Sequence, residues 1–392
     1  MEKKKVSVAG TLAVFSLFLL SMGITVVTPA MNVIIERWAA TVSVTNIYMV
    51  STIPTLVMVP VTIVAGSLAG KKVKYRTLAV LGAFLFLLGG CAPAVLPENF
   101  ILLLACRAVF GVGVGLMAPL GNALVVGLYE PGKASAYLGY GTLLMNFGGI
   151  IFQQLGGFFA GISWNATFWG HAFGLVGFVM AFFIPEPELP AEDSSAASAP
   201  KEKMHPFAWF AAITLFIFNI ANYPLMMNLS TFMAQKNAGD AQAAAIVLSV
   251  YTVGGCISGL IFGKIYGVVK RFSVSLGLAI CVVGICVAYF GANVATIGAG
   301  MFLDGFGFSI MFPALIAFVG MLTPPSTQAF GISIVTAFMN LSSFFSAYYL
   351  VVIEHFSGKD NVIGSSYFWA MAILGILAVF YIFYNPIKNV NN

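Results

Sequence analysis

The fold class predicted by this 392-residue sequence is an all-α membrane protein of twelve transmembrane helices, arranged as two related bundles of six. Composition, the length of the apolar runs and an internal repeat carry that prediction. Apolar residues make up 60% of the chain and charged residues only 8%, whereas soluble domains run at about 45–50% and about 25%. The apolar residues fall in runs of about 20, the length a helix needs to cross a hydrocarbon layer of about 30 Å. They do not alternate as the strands of an outer-membrane barrel do.

Twelve spans follow at about 8–33, 44–69, 77–96, 100–128, 135–161, 167–184, 207–233, 243–266, 273–294, 297–322, 329–353 and 364–385. The first begins behind Met1–Lys5 and continues past Val27 without a small-residue cleavage site, so it reads as a span and not as a signal peptide. One connection is long: Pro185–Pro206 is rich in Pro, Ala, Ser and charge and reads as a flexible linker. It divides an N-terminal bundle, residues 1–184, from a C-terminal bundle, residues 207–392.

Fourteen of the 18 Lys and Arg residues fall on one side of these spans and three on the other, with Arg107 left inside the fourth. The positive-inside rule then places both termini and the linker in the cytoplasm of a cell (inner) membrane protein. The net charge of +5 is spread over short loops and forms no continuous basic face, so no nucleic-acid partner is expected. The five cysteines, Cys91, Cys106, Cys256, Cys281 and Cys286, lie in apolar runs without metal-ligand or disulfide spacing. Neither a metal nor a cofactor is expected. The five tryptophans fall near span ends, as interfacial anchors do.

The halves repeat at a nearly constant offset. Gly66-Ser67-Leu68-Ala69-Gly70-Lys71 returns 193 residues later as Gly259-Leu260-Ile261-Phe262-Gly263-Lys264. Span four carries Gly111-x-Gly113-x3-Met117-x-Pro119, and span ten carries Gly305-x-Gly307-x3-Met311-x-Pro313 at an offset of 194. Met145-Asn146 returns as Met339-Asn340 at 194, and Pro29-x-Met31 as Pro224-x-Met226 at 195. A duplicated six-span unit implies two bundles about a pseudo-twofold axis with a cavity between them near the midplane. The shared glycines also suit close helix packing.

These residues resemble the major facilitator superfamily, in its twelve-span, drug-transporter-like branch, over essentially the whole chain. The loop from Gly66 through Lys71, Lys72 and Arg76 is similar to the family's gating signature, with Gly70 in place of its acidic residue and Val73 in place of its second glycine. Lys264 is the matching base in the second half. Arg107-Ala108-Val109-Phe110-Gly111-Val112-Gly113 resembles the span-four motif, with Phe110 replacing a glutamine. In span five, Gly139, Gly148, Gly156 and Gly157 match the element associated with proton antiporters, but Phe152-Gln153 stands where it has Gly-Pro. The resemblance implies two six-helix bundles, a transport function, alternating access and a monomer.

Arg107 and Asp304 are the two charged side chains well inside the spans. Each is costly in the bilayer and needs a partner or a wet cavity. An offset of 194 maps Arg107 to position 301, three residues before Asp304, so both charges lie at similar depth, about seven residues from the ends of their spans. One reading has Asp304 binding a coupling proton or a substrate cation, with Arg107 pairing with it or holding an anionic group. The other has a fixed structural ion pair, or Arg107 bonded to backbone carbonyls. His171 reads as hydrogen-bonded structure.

Neutral polar residues accompany them: Asn122, Asn146, Gln153 and Gln154 in the first half, and Asn219, Asn222, Tyr223 and Asn340 in the second. Asn219, Asn222 and Tyr223 share one helical face. Some of these amides bind helices together. The rest describe a largely apolar pocket suited to a small amphipathic or aromatic organic solute. The expectation is a secondary transporter, proton-coupled, with efflux favoured over uptake, exchange or facilitated movement of an organic anion. A membrane enzyme is opposed by the lack of H-E-x-x-H, G-x-S-x-G and P-loop motifs. A receptor that transports nothing leaves the repeat unexplained.

Overall fold

The computed structural model describes residues 6–70, 72–96, 98–129, 131–187, 204–323, 325–358, 361–384 and 386. Its contacts divide the chain into two compact units, Met1–Ala196 and Ala197–Asn392. Both are helical, with no β-strand among the described residues.

In the first unit α1 (Val8–Leu20) starts at Ser7, whose hydroxyl accepts from the Gly10 amide at 3.1 Å. The sequence places one span at about 8–33, and within it Ser21–Ala30 winds as a 3-10 helix before α2 (Met31–Trp38) follows. The reason is local. The stretch holds Gly23, a β-branched run and Pro29, and the Ser21 and Thr25 hydroxyls donate back to Leu17 O and Met22 O at 2.8 Å each. Then follow α3 (Val44–Leu68), α4 (Tyr75–Cys91), α5 (Phe100–Leu128) and α6 (Pro131–Ala160). The sixth crossing is short, a 3-10 turn at Ala166–Phe173 leading into α7 (Gly174–Ala181). α6 runs as helix straight through Phe152-Gln153.

The second unit holds α8 (Phe207–Met227), α9 (Leu229–Gln235), α10 (Ala241–Val269), α11 (Ser273–Phe290), α12 (Val294–Leu322), α13 (Pro325–Ser357) and α14 (Val362–Phe383). Ten helical stretches among the described residues are long and apolar enough to cross a membrane. One of them, Ala241–Phe290, is 50 residues long and turns at Lys270, where φ is +49°, so it makes two crossings. With the short Ala166–Ala181 segment the count is twelve. Outward-facing Ile101, Leu260 and Ile376 are each at least 70% exposed, the surface that lipid would cover.

Each unit packs through glycines at matching places. A Cβ on Gly82 of α4 would lie 3.0 Å from Gly113 O of α5, and one on Gly277 of α11 would lie 2.7 Å from Gly307 O of α12. Seven residues further on, Gly89 would meet Cys106 O and Gly284 would meet Gly300 O, both at 2.6 Å. Gly111 abuts the backbone of Pro54, and Gly305 that of Tyr251. Gly148 and Gly156 of α6 likewise lie against the backbone of Leu19 and Val26, while Gly157 is buried. The repeat is thus visible as the same backbone-to-backbone contacts made twice. Aromatic rings fill the remaining space, with Phe86 against Phe110 in one unit and Phe218 against Phe308 in the other.

Gly113→Val and Gly307→Val are each expected to cost about 1–3 kcal/mol through overpacking. Gly259→Ala, whose new methyl group meets no atom within 4 Å, should be neutral. Thermal unfolding of the purified variants in detergent would separate the two classes.

Candidate functional site

Arg107 and Asp304 are the two charged side chains that are fully buried among the described residues. Each sits in its own unit with its own surroundings.

Arg107 lies on α5 against α3 and the sixth crossing. Its Nε donates to Val50 O at 2.8 Å. That carbonyl is available because Pro54, four residues on, has no N–H to bond it. The guanidinium carbon stands 4.4 Å from the Phe110 ring centroid and 6.0 Å from that of Phe168, so two π-faces cover the charge. Nη1 lies 3.4 Å from His171 Nε2. The other imidazole nitrogen, Nδ1, lies 3.0 Å from Phe168 O, which can only accept. The proton therefore sits on Nδ1, and Nε2 is free to accept from Arg107. Of the readings for Arg107, bonding to a backbone carbonyl is the one these contacts describe. Phe110, which departs from the family motif, supplies a cation–π face.

Asp304 lies ten residues into α12, which starts at Val294 and not at 297 because Asn293 and Thr296 form a capping box. It is therefore about 15 Å from its helix start, against about 10 Å for Arg107 from Phe100. Neither carboxylate oxygen meets a donor at full hydrogen-bond geometry. The Asn222 amide of α8 and the Cys281 thiol of α11 are directed at it, and the Cys281 Sγ–H donates to Asp304 O at 3.4 Å. The hydroxyls of Tyr251 on α10 and Tyr367 on α14 lie within range of its field. Tyr367 is fully buried, stacked on Phe232 with centroids 4.2 Å apart, and its hydroxyl has no partner.

The two charges stand one helical turn apart in the repeat, since an offset of 194 carries Arg107 to Met301 and Phe110 to Asp304. Arg107 and Asp304 are 197 residues apart, and their sixth-crossing neighbours His171 and Tyr367 are 196 apart. One copy holds a cation against an imidazole, the other a carboxyl near a phenol.

The remaining predicted residues divide. Asn219 is a clamp to α13: its Nδ2 lies 2.9 Å from Met339 O and Ser342 Oγ and 2.8 Å from Ser343 Oγ. Asn222, one turn away, faces Asp304 instead. Gln153 is buried, Gln154, Asn146, Tyr223 and Asn340 are half-buried, and Asn122 is exposed. Among the basic loop residues, Lys71 lies outside the described residues and Lys72 is exposed. Gly66 lies in the last turn of α3, and Lys264 lies on α10 five residues before its end. Gly70 has φ +73°, a left-handed turn that suits glycine better than a β-carbon-bearing residue. A carboxylate does act beside this loop. Glu186 accepts from the Tyr75 and Arg76 amides at 3.0 and 2.9 Å, and Arg76 Nε donates to Ile184 O at 2.9 Å. The first unit's ordered contacts therefore run past residue 184 into the segment read as linker. Glu186 has a sequence signal, an acid between two prolines, but nothing local ties it to a helix start 111 residues earlier.

The fold defines the class, a polytopic helical membrane protein of two compact units. Residues 13–267 and 211–392 both match the Major Facilitator Superfamily, and the chain belongs to that family. It is a membrane transporter and not an enzyme. The "Quinolone resistance protein NorA" of Staphylococcus aureus (strain COL) is 23% identical over 310 residues, 77% of this chain and 78% of that one. The match to the protein of strain MSSA476 covers 63% of each. Among solved structures, a bacterial homolog of the human lysosomal transporter Spinster superposes with a TM-score of 0.75 at 14% identity over 95% of both chains. The xylose transporter XylE from E. coli superposes at 0.73 and 13% identity, over 96% of this chain and 94% of that one.

Two outcomes are expected. Arg107→Leu leaves Val50 O and the imidazole without their donor and should cost about 3–5 kcal/mol in thermal unfolding, as loss of one partner of a buried polar set does. Glu186→Ala removes the cap of α4 and should cost about 1 kcal/mol, read by the same melt.

Proposed function

We propose that this protein is a proton-coupled secondary carrier that exports a small amphipathic or aromatic organic solute from the cytoplasm. Its two bundles, residues 1–184 and 207–392, alternate access around a central path, joined by the segment 185–206, and the carrier works as a monomer. The carrying observation is Asp304, a fully buried carboxyl whose oxygens lack donors. A permanent anion in that setting is expensive, and a reversible proton removes the cost. Asn222 and Tyr367 beside it support a site that changes state with one proton.

Several observations support the rest of the reading. The relative NorA is named for quinolone resistance, which accords with an aromatic solute and with export. Arg107 is engaged by Val50 O, His171 and two phenyl rings, which disfavours it as the seat of an anionic substrate. The Lys and Arg distribution, fourteen against three, supports termini in the cytoplasm of the cell membrane. Uptake by symport is the second reading, favoured by the unbroken α6 at Phe152-Gln153.

Reconstitution in liposomes loaded with a pH-sensitive dye tests both. A panel of amphipathic cations, aromatic acids and neutral organics should include one that drives proton flux in the wild type. Asp304→Asn is expected to reduce that flux to the level of protein-free liposomes. Flux that persists in the variant removes Asp304 from coupling, and its sign relative to the solute gradient separates export from uptake.

A further inference from the structure

The polar groups around Asp304 can be counted as donors and acceptors. Three buried acceptors have no partner: both carboxylate oxygens of Asp304 and Oδ1 of Asn222. One buried hydroxyl, that of Tyr367, has none either. All three residues are at most 2% exposed. The Asn222 amide is directed at Asp304, and only its nitrogen side can donate to a carboxylate. That orientation leaves Oδ1 stranded.

We infer that Asn222 is the positioning residue that reads the protonation of Asp304, turning its amide over between the two states. This rests on the reading of Asp304 as the proton carrier. With Asp304 ionised, Nδ2–H of Asn222 donates to one carboxylate oxygen and the Tyr367 hydroxyl to the other. When a proton from the medium adds to Asp304, the new O–H needs an acceptor. Rotation of the amide about its last side-chain bond presents Oδ1, which accepts it. Tyr367 continues to donate to the carbonyl oxygen. The added proton thus finds its acceptor in Oδ1, while Nδ2 gives up the carboxylate oxygen it held in the ionised state. No covalent bond other than the O–H changes.

The other titratable groups facing the carboxyl are Tyr251 on α10 and Cys281 on α11. As a phenol and a thiol they supply no counter-charge, so the response falls to the amide. Asn222 sits on α8, two residues before Pro224 and three after Asn219, which clamps α8 to α13. A turn of the amide therefore acts beside a helix joint.

Infrared difference spectra between low and high pH, on the full chain in lipid nanodiscs, test this. The chain is compared unlabelled and with carbon-13 at the asparagine side-chain carbonyl. The expected spectrum holds a carboxylic-acid carbonyl band that Asp304→Asn removes. It also holds a paired asparagine amide band that moves with the label and is lost in Asn222→Leu. A carboxyl band without any label-sensitive amide band overturns the role of Asn222 and leaves Asp304 as the proton site. If no band depends on Asp304, both the inference and the proton reading fail. The labelled wild type gives the answer even if Asn222→Leu does not fold.

Discussion

Inside a bilayer no water is present to bond a stray N–H or C=O, so each backbone group freed by a helix irregularity must be met by another part of the protein. This constraint organises much of what is seen. Pro54 frees Val50 O, and Arg107 takes it. Pro119 frees Gly115 O, four residues earlier, and the Thr62 hydroxyl donates to it at 3.2 Å. At the break between α8 and α9, Pro224 O keeps its backbone bond from the Asn228 amide and takes a second from the Asn228 side chain, each at 2.9 Å. Prolines that would weaken soluble helices thus become acceptor sites for neighbouring helices. The buried guanidinium is held by the defect that Pro54 creates.

A second constraint is the absence of a hydrophobic driving force between helices in lipid, which leaves close packing to hold each bundle. Glycine permits it. Gly82 and Gly89 against α5, and Gly277 and Gly284 against α12, bring backbones into contact in the same register. Duplication preserved these contacts because each leaves no room for a β-carbon. It did not preserve the polar locus they support. Arg107 with His171 and Asp304 with Tyr367 lie within one helical turn of each other in the repeat, with opposite charge and unlike neighbours. One copy is held by hydrogen bonds and π-faces, while the other keeps stranded acceptors. Such an asymmetry suits a division of labour, in which one bundle supplies a rigid frame and the other a site that changes state.

The crossings and the two buried charges were legible from the sequence by itself, because membrane thickness fixes the length of an apolar run and because a charge within one stands out. The repeat was legible for a related reason, since glycine is kept where backbones touch. The Val50–Arg107 bond was half legible: Pro54 marks the free carbonyl, four residues back, but not the side chain that reaches it. Tertiary structure alone decided the rest. Asn219 and Asn222 share a helical face, yet one clamps α13 and the other faces Asp304, because a few tens of degrees around a helix select different neighbours. Tyr251, Cys281 and Tyr367 come from three further helices and carry no pattern that marks them as a set. Periodicity is a property of one helix, whereas a polar site in a bundle is made where several helices meet.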